Sequence, residues 1–140
     1  MKLYVDTSVL LRIVLGERGR LREWSRSARW ISSELIRLES LRTIDRARVQ
    51  LHLADRAVSA RRAAILEHLR AFELVKLQPA VLERAPEPFP TSLGTLDAIH
   101  LASALLARER YPDLVVATHD EELAVAAEAE GFSVLGAPRA

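Results

Sequence analysis

Asp6, Glu39, Asp97 and Asp120 are the residues of this sequence whose type and placement could do chemistry. Asp6 closes the apolar run Leu3-Tyr4-Val5, which reads as a buried strand, and Asp120 follows the apolar run Leu114-Val115-Val116-Ala117. Asp97 falls in the first turn of a strongly apolar helical stretch. Each of these aspartates has a plainer reading, because Asp favours helix caps and first turns, where it meets the positive end of the helix dipole. Glu39 is harder to dismiss. With Leu35 at zero and roughly 100° per residue, Glu39 lies at about 40° and Ile36 at about 100°, so the carboxylate falls inside the apolar stripe of its own helix. An ionised group there costs several kcal/mol unless a cation or hydrogen bonds offset it. Arg42, three residues on, is one partner for it; a metal ion is the other.

Carboxylates meeting in one pocket repel one another, which raises their pKa values unless a divalent cation is bound. The chain has no cysteine, which excludes disulfides, thiolate zinc sites and thiol nucleophiles. Oxygen ligands without Cys or an obvious His pair favour Mg2+ or Mn2+ over zinc. Such an ion suits phosphodiester hydrolysis, where it orients and activates water and stabilises charge on the phosphate and the leaving oxygen.

These placements need elements to hold them. Short apolar runs alternate with long helical stretches, and neither an internal repeat nor a linker is visible. Strands are expected at residues 2–6, 29–32, 72–77, 114–117 and 132–135, the third ended by Pro79. Helices are expected over 7 to about 16, 21–26, 33 to about 50 and 54–71. The last two carry recurring apolar positions, Leu35, Leu38, Leu41 and Ile44, then Val58, Ile65, Leu66 and Leu69. The prolines of 86–90 mark a loop. Thr95 reads as the N-cap of a helix running to about Arg110, apolar on nearly every side and therefore buried. Thr118 and Glu121 match a capping box for a last helix that Gly131 ends. Strands alternating with helices argue for a mainly parallel sheet covered on both faces. In such a sheet ligands bind beyond the carboxyl ends of the strands, near the point where strand order reverses.

Length and composition bound the function classes. The 140 residues suit one compact domain, and 49% apolar with 28% charged residues excludes a disordered chain. The apolar run from Val9 to Leu15 is broken by Arg12, and nothing approaches the roughly 20 apolar residues of a membrane span. A soluble cytoplasmic domain is expected. The net charge of +1 hides an asymmetry: residues 12–70 carry 14 Arg against 7 acids, and residues 71–140 carry 5 basic residues against 11 acids. Arginine forks suit phosphates and carboxylates, so the basic half, with Arg12, Arg18 and Arg22 close in sequence to Asp6, reads as a surface for nucleic acid or an acidic partner. A solvated helix surface is the other reading.

Val5-Asp6-Thr7-Ser8, Ser33-Glu34-Leu35 with Glu39 downstream, Leu96-Asp97-Ala98-Ile99-His100-Leu101-Ala102 and Thr118-His119-Asp120 resemble, in order and spacing, the motifs of PIN-domain nucleases over essentially the whole chain. The resemblance is nearest to the VapC-type ribonuclease toxins of toxin–antitoxin modules. It implies a single PIN-like α/β domain over residues 1–140, with a central four- or five-stranded mainly parallel sheet and helices on both faces. It implies Mg2+-dependent endonucleolytic cleavage of RNA, with Mn2+ able to substitute. Asp6 and Asp97 correspond to the metal ligands, and Glu39 and Asp120 to the remaining catalytic acids. The partners implied are an RNA substrate (tRNA or rRNA), a cognate antitoxin protein, and a homodimer or toxin–antitoxin hetero-oligomer, with no membrane. Thr7 and Thr118 fall where the family often has a hydroxyl lining the site, capping being their other reading. His100 reads as a packed helix residue, and Glu121 and Glu122 as cap and solvated surface. The segment from Pro86 to Gly94 is less typical of the family.

Other folds that place acids at strand ends fit less well. A phosphoryl-transfer receiver domain needs a lysine near a late strand, and none follows Lys76. A haloacid-dehalogenase-type phosphatase needs a second Asp where Ser8 stands. A PIN-like module that only binds RNA or protein would usually have lost one of the four acids.

Overall fold

Alternation along β1 (Lys2–Val5) sets the architecture. Leu3 and Val5 point to one face and Tyr4 to the other, and all three are buried, so this strand must be covered on both sides. The computed structural model, which describes residues 1–16, 21 and 29–137, shows how. After β1 come α1 (Thr7–Val14), β2 (Arg29–Ser33), α2 (Leu35–Gln50), α3 (Asp55–Leu69), β3 (Phe72–Val75), α4 (Pro79–Arg84), α5 (Thr95–Arg110), β4 (Val115–Ala117), α6 (Glu121–Ala129) and β5 (Val134–Leu135). The five strands form one sheet in the order β3-β2-β1-β4-β5, and every pairing is parallel.

On one face Tyr4, Ile31 and Val116 pack against Leu101, Ala104 and Ala107 of α5 and Leu123, Ala126 and Ala127 of α6. The alanines let both helices approach the sheet closely. On the other face Leu3, Val5 and Ala117 meet Val9 of α1 and Leu21. Leu10 of α1 continues into a cluster with Ile36, Ile44, Val58, Ile65 and Leu69, which binds the α2–α3 pair to the domain. The expected α/β architecture, a parallel sheet with helices on both faces, is the one observed.

Two local readings differ and a third is not tested. Pro79 does not end a strand; it opens α4 at its first turn, where the missing N–H costs nothing. Thr95 is the first residue of α5, and Gly94 is the cap, without a side-chain hydrogen bond. The expected helix at 21–26 lies, apart from buried Leu21, outside the described residues.

The strand order reverses between β1 and β4, so the crevice of the fold opens at their carboxyl ends. Beside it the chain leaves β5 through Gly136 at φ +91°, where an added Cβ would stand 2.9 Å from the carbonyl oxygen of Thr118. An L side chain is strained there, and the close neighbour is backbone that cannot yield cheaply. Gly136→Ala is expected to cost about 1–3 kcal/mol, read as a lower urea midpoint at unchanged slope. A midpoint equal to wild type would contradict this.

Candidate active site

Asp6 stands at the end of β1 and caps α1, its Oδ1 accepting the Val9 N–H at 3.3 Å. Its own N–H donates to the Ala117 carbonyl at 3.1 Å, which ties the end of β1 to β4. The side chain is 4% exposed. Burial pushes its carboxyl above the ordinary range, and hydrogen bonds from Ser8 and Thr118 and the nearby His100 work against that push. Both hydroxyl contacts are short: Ser8 Oγ donates to Oδ1 at 2.6 Å and Thr118 Oγ1 to Oδ2 at 2.6 Å. Asp6 is therefore held in one orientation.

Thr118 shows why local pattern misleads. The capping box with Glu121 is not formed; Asp120 caps α6 through Oδ1, which accepts the Leu123 N–H at 3.1 Å. The Thr118 hydroxyl instead donates to Asp6 and accepts the Asp120 N–H at 3.0 Å, linking two of the four acids. A buried carboxylate is a stronger acceptor for that proton than anything the helix end offers. Thr7 likewise does not cap α1. Its hydroxyl donates to Glu39 Oε1 at 3.0 Å.

Glu39 does lie inward from α2, but its partner is not Arg42, which turns outward to Asp45 at 3.4 Å. His100 Nε2 stands 2.6 Å from Glu39 Oε1, and His100 Nδ1 stands 2.8 Å from the Tyr4 hydroxyl. His100 is thus buried as expected, but it is also a hydrogen-bonding link rather than packing alone. Burial keeps the Tyr4 phenol protonated far above its usual range. The missed signals are spacing and type: His100 lies three residues after Asp97, on the same side of α5, and Ser8 stands two residues after Asp6.

Asp97, in the first turn of α5, receives no hydrogen bond among the described residues. Its carboxyl is pushed up to about 6, first by partial burial and then by the charges of Asp120, Asp6 and Glu39, with His100 acting the other way. The four sequence-identified acids therefore share one electrostatic field, delivered from the end of β1, from α2, from α5 and from the start of α6. As they stand, no three His, Asp or Glu side chains among the described residues are gathered closely enough to grip one ion.

Of the basic half, Arg37, Arg42 and Arg46 are exposed on α2, the helix that carries Glu39. Arg18 and Arg22 lie outside the described residues.

Comparison with known proteins shows the family and the fold. The family model described as PIN domain matches residues 3–129. Ribonuclease VapC35 of Mycobacterium tuberculosis is 31% identical over 142 residues, covering 95% of each chain. Ribonuclease VapC46 of the same organism is 32% identical over 139 residues, again covering 95% of each. A solved structure described as a toxin–antitoxin complex from Klebsiella pneumoniae shares the fold at a TM-score of 0.55 and 20% identity, covering 89% of this chain and 91% of that one.

Proposed function

This chain belongs to the PIN-domain family, and on that premise we propose that it is an endoribonuclease that hydrolyses RNA phosphodiester bonds with Mg2+, Mn2+ being able to replace it. The observation that carries the reading is that carboxylates are delivered to the reversal point of the sheet, where the Thr118 hydroxyl links Asp6 to the Asp120 backbone and the charges of Asp120, Asp6 and Glu39 raise the Asp97 carboxyl against the opposing effect of His100. The donor set fits a hard divalent ion: all oxygen, overcharged, and with Asp97 free of hydrogen-bond donors among the described residues. Asp6 and Asp97 would hold it. When bound, such an ion neutralises charge and polarises water and the scissile phosphate.

The chain's own residues do the rest. Ser8 and Thr118 keep Asp6 from turning away. Glu39 and Asp120 would accept hydrogen bonds from the attacking water and so orient it, and one of the two would take the single proton it releases on attack, to be passed to the leaving oxygen. The exposed arginines of α2 offer the RNA backbone a positive surface beside a negatively charged pocket. The VapC relatives and the sequence resemblance support the role of toxin in a toxin–antitoxin module, with a cognate antitoxin as partner and the cytoplasm as the place of action. No helix of the described residues is long and apolar enough to cross a membrane. All four acids are present, so a binding-only module has no feature that favours it.

The purified protein incubated with tRNA and rRNA tests this. Cleavage is expected with Mg2+ or Mn2+, none with EDTA, and recovery when metal is returned in excess. Cleavage indifferent to EDTA overturns the metal dependence. Intact RNA of both classes under all conditions overturns the nuclease.

A further inference from the structure

We propose that His100, backed by Tyr4, is a positioning residue that fixes Glu39 so that only Oε2 of its carboxylate is presented to the site. Glu39 Oε1 receives two donors, His100 Nε2 at 2.6 Å and Thr7 Oγ1 at 3.0 Å. A carboxylate oxygen so occupied has little left to offer a water or an ion, whereas no group among the described residues donates to Oε2. The 2.6 Å contact is a hydrogen bond in which Nε2–H donates and the carboxylate oxygen accepts, the arrangement this proposal assigns. In that tautomer Nδ1 accepts the hydrogen bond of the Tyr4 hydroxyl, 2.8 Å away.

Each partner in this chain is itself held. His100 is 2% exposed, and its ring stands edge-on to that of Tyr4 at 78° with centroids 5.9 Å apart, a favourable aromatic geometry. Tyr4 lies on β1 two residues before Asp6, and Thr7 directly follows Asp6. His100 lies one turn along α5 from Asp97. One imidazole thereby couples β1, α2 and α5, three of the elements that deliver the acids. Its effect is to make Glu39 a one-oxygen acceptor of fixed direction, suited to aligning a water rather than to clasping an ion with both oxygens. Outer partners of this kind typically change metal affinity or activity by about 10–100-fold when removed.

The functional consequence rests on the nuclease reading, and the test separates the two. Nitrogen-15 spectra of the imidazole in the metal-free protein are expected to show a single Nε2–H tautomer; an Nδ1–H tautomer overturns the proposal. His100→Leu fills the space without a donor and is expected to slow single-turnover cleavage about tenfold or more, with RNA affinity within about twofold of wild type. His100→Gln returns an N–H toward Glu39 and is expected to recover most of the rate. Equal rates for the Leu and Gln variants, or a Leu variant as fast as wild type, make His100 mere packing. If His100→Leu does not fold, Tyr4→Phe decides: it removes one hydroxyl, shifts the Nδ1 resonance and slows cleavage several-fold, and an unchanged rate overturns the proposal. If wild type cuts no RNA, the nuclease reading falls and the tautomer alone decides the geometry.

Discussion

Asp6→Asn and Asp97→Asn are each expected to lower single-turnover RNA cleavage by about 10²–10³-fold or more, with RNA affinity at or above that of wild type. Both replacements keep shape and remove one negative charge from a pocket that must receive a polyanion, so binding loses nothing electrostatically and gains a little. The loss falls on chemistry, because an amide neither neutralises a divalent ion nor holds it as a carboxylate does. The two variants differ in what else they disturb. Asp6→Asn turns an amide N–H2 toward the Thr118 hydroxyl, which already accepts the Asp120 N–H and then loses the acceptor for its own proton. Asp97→Asn meets no such conflict, since no group among the described residues donates to Asp97. Cleavage lost in Asp97→Asn with binding retained by fluorescence anisotropy assigns the acid to chemistry. Parallel loss of cleavage, binding and native circular dichroism in both variants would show that the acids hold the fold together.

Asp97 is legible through the Leu96-to-Ala102 motif of the family resemblance, since its first-turn position alone reads equally well as a contact with the helix dipole, and Glu39 is legible because helical geometry sets it inside an apolar stripe. The partners of these acids are not legible. Arg42 is the local answer for Glu39, three residues away, whereas the structure supplies His100, 61 residues away. Thr118 reads as a cap, yet its hydroxyl reaches back 112 residues to Asp6. Local periodicity reports which face of an element is buried, not which distant hydroxyl or imidazole the folded sheet brings to it. The same limit applies to the sheet. Alternating strands and helices indicate parallel pairing with both faces covered, but the order β3-β2-β1-β4-β5, which puts Asp6 and Asp120 at one crevice, depends on long crossovers that leave no periodic trace. Pro79 misleads for a different reason: one residue that breaks a strand also opens a helix.

Asp97→Asn is further expected to raise the melting temperature of the metal-free protein at neutral pH, and to lose most of the stabilisation that Mg2+ gives the wild type. In the native state the Asp97 carboxyl is pushed up to about 6, against 3.8 for the free group, by burial first and then by Asp120, Asp6 and Glu39. Above about pH 6 the native state carries an ionised carboxylate that the unfolded chain accommodates more easily, so folding bears the full penalty. As the pH falls through 6 the native state takes up its proton before the unfolded chain does, and stability from this group rises, until below about 4 both are protonated and the penalty is gone. Asparagine bears none of it. The gain on substitution should therefore be greatest near pH 7–8 and vanish near pH 4. Because the group is partly exposed, screening reduces the penalty to on the order of 1 kcal/mol, or about 3–4 °C. Mg2+ acts in the opposite sense: binding the folded wild type alone, it adds about 1.4 kcal/mol at ten times its Kd and removes the repulsion that the substitution relieves. Calorimetric scans from pH 4 to 8, in EDTA and in millimolar Mg2+, should thus show the variant ahead without metal and overtaken with it. A gain that ignores pH, or melting curves of both proteins that ignore Mg2+, would mean that Asp97 neither shares the field of the other acids nor helps to hold an ion with them.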